Sequence, residues 1–332
     1  MTCCQQPRSM VITNDLVHSP TGRIDFQSMN AFEIHHLLCK LEQTPEQSVF
    51  GHLLLPEQPS GLDEDPQSTE QTVPCVVACH GSRGWREHND EHVKNWLASG
   101  IAVFKIHSFE ARLVDSVVED QMMVTHAMML ADAFSALKLL GTHPRIDPAR
   151  IAIAGWSLGG MVALYAAWLP LAEALAPGGE RFAAHLPFYP AAHVRPDEQR
   201  WSTSPIQILH GEIDDYTPVV LATGLVEQLK PLGVDIDIKV YPGAHHSFDS
   251  TEPITMLEHA IRLDERTVRI DLDGNMTGEI APGETIPLNE PAERYAAIQR
   301  TQLVGAHYGG QTEARNQSRI DAVDFLTRTL LE

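Results

Sequence analysis

The chain has 332 residues, 43% of them apolar and 20% charged. That is enough hydrophobic surface for one large α/β domain or two smaller ones, and too much for a disordered or fibrous chain. A formal charge of −20 disfavours nucleic acid and anionic membranes as partners, because neutralising phosphates takes clustered Lys and Arg. Five cysteines, at 3, 4, 39, 75 and 79, form no C-x-x-C pair, which argues for reduced thiols and a cytoplasmic chain.

In chain order, the N-terminus lacks the basic segment and apolar run of a secretory signal, and no apolar stretch is long enough to span a membrane. AFEIHHLLCK (31–40) and SVFGHLLLPE (48–57) are predicted as an antiparallel strand pair at a sheet edge, and the polar run 60–72 as a solvated loop. Six further strands are predicted at 73–80, 100–107, 150–155, 182–190, 205–211 and 234–242. Most of these are continuous apolar runs, the pattern of strands buried on both faces of a parallel sheet. Cys75 and Cys79 lie in the first of the six, four apart on one face, and read as buried core.

Helices are predicted between the strands. One opens at Ser116, whose spacing to Glu119 fits a capping box, and closes near Gly141. Another starts at Thr217 with Pro218 in its first turn, and Gly233 follows its end. The last covers about 314–331, with Ile320, Val323, Leu326 and Leu330 on an apolar stripe. The expected architecture is one α/β domain over 1–332, a mostly parallel, doubly wound sheet with helices on both faces. It carries an N-terminal extension (about 1–45) and an insertion (about 250–313) before the last helix. Within that insertion, Asp271, Asp273 and Asn275 begin like a calcium loop, but Met276 and Pro282 stand where Gly and Glu are needed. A hairpin turning on Asp273-Gly274 is expected instead, and the insertion is expected to border the active-site mouth.

The sharpest chemical signal is Gly155-Trp156-Ser157-Leu158-Gly159, which follows a strand directly and runs into a helix. A G-x-S-x-G turn of this kind lifts a serine oxygen above the sheet edge at a helix N-terminus, where negative charge is favoured. Asp214 and His246 follow later strands in the order Ser…Asp…His, at strand ends that face one crevice in an open α/β sheet. His80-Gly81-Ser82-Arg83-Gly84 follows the 73–80 strand, so the backbone N–H groups of Ser82 and Leu158 are assigned as oxyanion donors.

Together, Gly155–Gly159, HGSRG at 80–84, GEIDDYTP at 211–218 and GAHHSF at 243–248 resemble the dienelactone hydrolase family of α/β-hydrolases, over roughly residues 45–260. The resemblance selects Asp214, four residues before a Pro, over Asp215, and His246, in G-x-x-H-x-F, over His245. It departs from dienelactone hydrolases proper at two places: Ser157 stands where they use Cys, and Gly81 where they carry Glu. What it implies is a serine esterase that cleaves carboxylic esters with small to medium acyl or alcohol groups, lactones included, through an acyl-enzyme on Ser157. No cofactor and no metal are expected, and the only expected partner is the small-molecule ester. Trp85, Arg112, Trp156, Trp201 and Tyr216 are candidate substrate contacts on loops near the crevice.

Two other classes compete. The fold also hosts lyases, perhydrolases and binding proteins with intact triads. More remotely, His88-Asn89-Asp90-Glu91-His92 matches the H-x-x-E-H of zinc peptidases, although Asn89 and Asp90 read as cap residues that leave His88 outside the helix.

Overall fold

The computed structural model describes residues 12–18, 20–57 and 72–332. Cys3, Cys4 and nearly all of the 60–72 loop lie outside the described residues. In chain order the elements are β1 (Gly22–Met29), α1 (Ile34–Cys39), β2 (Glu46–Leu54), β3 (Val73–Cys79), α2 (Glu87–Ala98), β4 (Ala102–Ile106), α3 (His126–Leu140) and β5 (Ile146–Trp156). Then come α4 (Leu158–Tyr165), α5 (Leu169–Leu175), β6 (His185–Phe188), β7 (Val194–Pro196), β8 (Ile206–Gly211), α6 (Val219–Leu229) and β9 (Ile236–Tyr241). The chain ends with β10 (Thr255–Arg262), β11 (Val268–Ile270), β12 (Met276–Ala281), β13 (Glu284–Pro287), α7 (Pro291–Thr301), β14 (Leu303–Tyr308) and α8 (Thr312–Leu330).

Eight strands form the central sheet in the order β1-β2-β4-β3-β5-β6-β8-β9. β1, β2 and β4 pair antiparallel, and every pairing from β4 to β9 is parallel. The continuous apolar runs have the expected cause. Along β3, Cys75, Val77 and Cys79 enter the core beneath α3 and α4, while Val76 and Ala78 enter the core shared with α2 and α8. From Pro74 to Cys79 each residue of β3 is therefore buried, whichever face it points to, whereas β9 at the sheet edge is largely exposed.

Three local expectations are corrected. The edge pair is β1 with β2, while 34–39 is helical: Ile34 and Leu37, one helical turn apart, are both buried, so that apolar run follows the helical period. α3 begins at His126, not Ser116. Thr125 Oγ1 caps it by accepting from Met128 N, whereas Ser116 Oγ accepts from Val118 N in a local turn and donates to Ser82 O. The segment 114–125 is thereby left as a loop over the sheet. On α8, Ile320 is 54% exposed, and the buried stripe runs through Ala314, Ser318, Ala322, Phe325, Leu326 and Leu330.

The 250–313 segment adds strands outside the central sheet. β10 pairs with β14, and β13-β12-β11 extends through β11 onto β7. The β11–β12 hairpin turns at Gly274, whose φ of +78° only glycine adopts freely. None of the described helices is long and apolar enough to cross a membrane.

Candidate active site

Ser157 sits between the end of β5 and the start of α4 with φ +55° and ψ −109°, a strained conformation for a side-chain-bearing residue. The glycines around it are needed for close approach. A Cβ at Gly155 would lie 2.1 Å from Gly159 O, and one at Gly159 would lie 2.2 Å from Cys79 O and 2.5 Å from His80 O. This turn therefore packs directly on the end of β3. Leu158 opens α4, so its N–H belongs to the first helical turn, whose amides lack intrahelical acceptors.

Ser157 Oγ lies 2.8 Å from His246 Nε2, and His246 Nδ1 lies 2.7 Å from Asp214 Oδ2. All three residues are buried. Asp214 Oδ1 accepts from the backbone N–H of Tyr216 (2.9 Å) and of Thr217 (2.8 Å), which fixes the carboxylate. Burial by itself would raise the Asp214 carboxyl, but the facing His246 and the neighbouring His210, with the Thr217 amide, hold it below the usual carboxylate range. A carboxylate accepts only, so His246 Nδ1 carries the proton and Nε2 is free to accept from Ser157.

Three residues that the sequence reading gave no part in the site complete this geometry. Thr217 Oγ1 donates to Asp214 Oδ2 at 3.0 Å and lies 3.1 Å from His246 Nδ1. Tyr189, at the end of β6, places its ring 4.7 Å from that of His246. Asp249, fully buried, accepts from Trp156 Nε1 (3.0 Å) and Tyr189 OH (2.8 Å) and lies 3.2 Å from His92 Nε2. Burial would raise Asp249, yet His88, His92 and the Tyr189 hydroxyl depress it strongly. Thr217 stood inside the motif GEIDDYTP at 211–218, and Asp249 directly after GAHHSF at 243–248.

Ser157 opens onto a cleft with two lobes, of about 440 and 530 Å³ with their open mouths included, and Ser82, Ser157 and Tyr216 line both. Leu158 and Met161 line the larger lobe. The 114–125 loop contributes Val117, Val118 and Val124. The 250–313 segment borders the mouth with Leu257, Ile261, Leu263, Arg294 and Tyr308. The two are joined: Ile261 N donates to Val118 O, and Gln121 Nε2 to Ile261 O. Glu252 ties the same segment to Arg83 of the 80–84 loop and to Arg86 before α2, and accepts from Tyr308 within the segment.

Of the candidate contacts, Tyr216 lies in the cleft, and its hydroxyl is buried without a hydrogen-bond partner among the described residues. Trp156 borders one lobe, but its ring is stacked between Trp96 and Phe188. The other three are not at Ser157. Trp85 donates from Nε1 to Ile106 O and lies under the Lys105 ammonium. Arg112 makes a bidentate ion pair with the buried Asp132, at 2.8 and 2.9 Å. Trp201 is buried against Tyr165. Nor is His88 outside α2: Asn89 Oδ1 reaches back to Arg86 N, so the helix opens at Glu87 and carries both His88 and His92. Those two imidazoles turn to the single carboxylate of Asp249 rather than to a third metal ligand.

Residues 64–268 match the sequence model of the Dienelactone hydrolase family. The chain belongs to that family. The sheet and helices described above are those of the α/β-hydrolase fold. The dienelactone hydrolase-like promiscuous phosphotriesterase P91, from metagenomic libraries, shares that fold with a TM-score of 0.52 at 15% identity, covering 93% of this chain and 99% of its own. Esterase 2 of Thermogutta terrifontis, in its propionate-bound form, aligns with a TM-score of 0.46 at 18% identity over 60% of this chain and 80% of its own. Dipeptidyl peptidase family member 1 of Caenorhabditis elegans is 26% identical over 121 residues, 32% of this chain. The chain spans only 15% of the length of that curated relative.

Proposed function

We propose that this family member is a serine hydrolase that cleaves carboxylic esters, lactones included, with small to medium acyl or alcohol groups through an acyl-enzyme on Ser157. The observation that carries the reading is the unbroken chain from Ser157 Oγ through His246 to Asp214, opening on a two-lobed cleft. His246 Nε2 takes the Ser157 proton as the oxygen attacks the ester carbonyl, and Asp214 stabilises the imidazolium. The backbone N–H groups of Ser82 and Leu158 hold the oxyanion, the second aided by its place at the start of α4. His246 then protonates the leaving alcohol, and afterwards activates the water that frees the acid. One lobe takes the acyl group and the other the alcohol, which limits both to modest size. The unpartnered Tyr216 hydroxyl is suited to hydrogen-bond the bound ester. The described cysteines, Cys39, Cys75 and Cys79, are free thiols, which agrees with a cytoplasmic setting.

The test is a series of p-nitrophenyl esters of increasing acyl length, run beside a fluorophosphonate label. Hydrolysis that peaks at short acyl chains, with labelling lost in Ser157→Ala, supports the reading. Absence of both hydrolysis and label in the wild type would leave a lyase, perhydrolase or binding role instead.

A further inference from the structure

The two residues passed over for the triad, Asp215 and His245, do not idle beside it. They converge with His307 of β14, and one donor atom from each of the three lies within 4.8 Å of the others. Asp215 grips His307 twice: Oδ1 accepts from His307 N at 2.8 Å, and Oδ2 lies 2.8 Å from His307 Nδ1. The rings of His245 and His307 are 5.3 Å apart. A second observation points to a ligand: His245 Nδ1 is buried and has no hydrogen-bond partner among the described residues.

We infer that Asp215, His245 and His307 form a binding site for a divalent cation of the zinc class, which clips the 250–313 segment to the two loops that carry Asp214 and His246. Two imidazoles and one carboxylate suit Zn²⁺ or Co²⁺, whereas Ca²⁺ and Mg²⁺ take sets of oxygens. Tetrahedral ligands at about 2.1 Å from an ion stand about 3.4 Å apart, so side-chain rotation that draws the donors together by up to about 1.4 Å closes the cluster on one. The ion takes the place of the proton now shared between Asp215 and His307. The Asp215 and His307 side chains are 39% and 41% exposed, which leaves an entry path and room for water as fourth ligand. No sequence motif announces the site, because its ligands are spread over three segments that only the fold brings together.

The position gives the ion a structural role. β14 already touches the triad loop, where Gly309 N donates to His246 O at 2.9 Å and His246 bridges to Tyr308. A cation one residue away on each loop holds the same junction from its solvent side, away from Ser157. This inference does not depend on what Ser157 does, because its readout is binding.

The experiment uses the full-length protein, stripped of metal and titrated with Co²⁺ followed by visible absorption and with Zn²⁺ followed by calorimetry. One ion per chain is expected, with the intense visible bands of low-coordinate cobalt and a raised melting temperature. His245→Ala and His307→Ala should each weaken binding by about tenfold or more, while His259→Ala, an exposed histidine of the same segment, should leave it unchanged. If either ligand variant unfolds, Asp215→Asn replaces it and should show the same weakening. Absence of saturable binding overturns the site, as does affinity within about twofold of wild type in a folded ligand variant.

Discussion

The loops that carry Ser157, Asp214 and His246 differ in construction from the 250–313 segment that roofs them. The Ser157 and Asp214 loops leave β5 and β8, which are buried on both faces, while the His246 loop leaves the edge strand β9, and close backbone approaches at Gly155, Gly159 and Gly211 lock the three together. The roof is thin: α7 has no fully buried residue, and β10 buries only Ala260 among its eight. Part of it is held by apolar burial, with Ile270, Met276 and Leu288 in the main core, and part by polar contacts, through Arg294 with the buried Glu33, the Glu252 cluster, and Asp215 with His307. A packed floor can hold the triad atoms to fractions of an ångström, while the thinly packed β10 and α7 of the roof can vary their contacts without disturbing them. Floor substitutions should thus change rate, and roof substitutions should change preference.

The largest expected effect is at the nucleophile. Ser157→Ala should lower turnover by about 10⁴-fold or more with the melting temperature preserved; steady-state kinetics beside thermal melting checks this, and retained turnover would end the triad assignment. Asp214→Asn should cost about 10³–10⁴-fold in kcat, because an amide no longer enforces the imidazole tautomer. Loss confined to KM would show that Asp214 only shapes the cleft.

Asp249 tests whether the floor extends beneath Trp156 and Tyr189. Asp249→Asn should cost about 1–3 kcal/mol of stability, since it leaves part of a buried hydrogen-bond set unmatched. Because the folded carboxyl is held below its ordinary value of 3.8, its contribution is complete above that value and drains away as pH falls toward the folded one. Wild-type melting should therefore fall more steeply with acid, below about pH 4, than that of Asp249→Asn; parallel curves would mean the carboxylate is not engaged.

At the roof, Ile261→Ala should change KM among esters of different chain length by about tenfold or less, with kcat for the smallest ester kept. A uniform fall in kcat would place Ile261 with the floor. The smallest effect is expected away from both regions: Ile320→Lys, on the exposed face of α8, should stay within about 0.5 kcal/mol of wild type in denaturant melts.

The strongly patterned parts were legible in the chain itself. The six apolar runs became the parallel strands, and the G-x-S-x-G turn with its Asp and His loops met as the strand order requires. Weak or competing signals misled. Ser116 had the spacing of a cap but bonded locally and to Ser82 instead, and Trp85, Arg112 and Trp201 found partners that sequence proximity to the crevice could not reveal.

By itself the sequence determined that Ser157 stands on a strand-to-helix turn and that Asp214 and His246 follow later strands in that order, because periodicity, glycine positions and strand-end placement are local properties. Only the tertiary structure decided that Asp249 braces Trp156 and Tyr189, that the insertion walls the cleft, and that Asp215, His245 and His307 share one point. Those depend on contacts between segments distant in the chain, where no local pattern records the meeting.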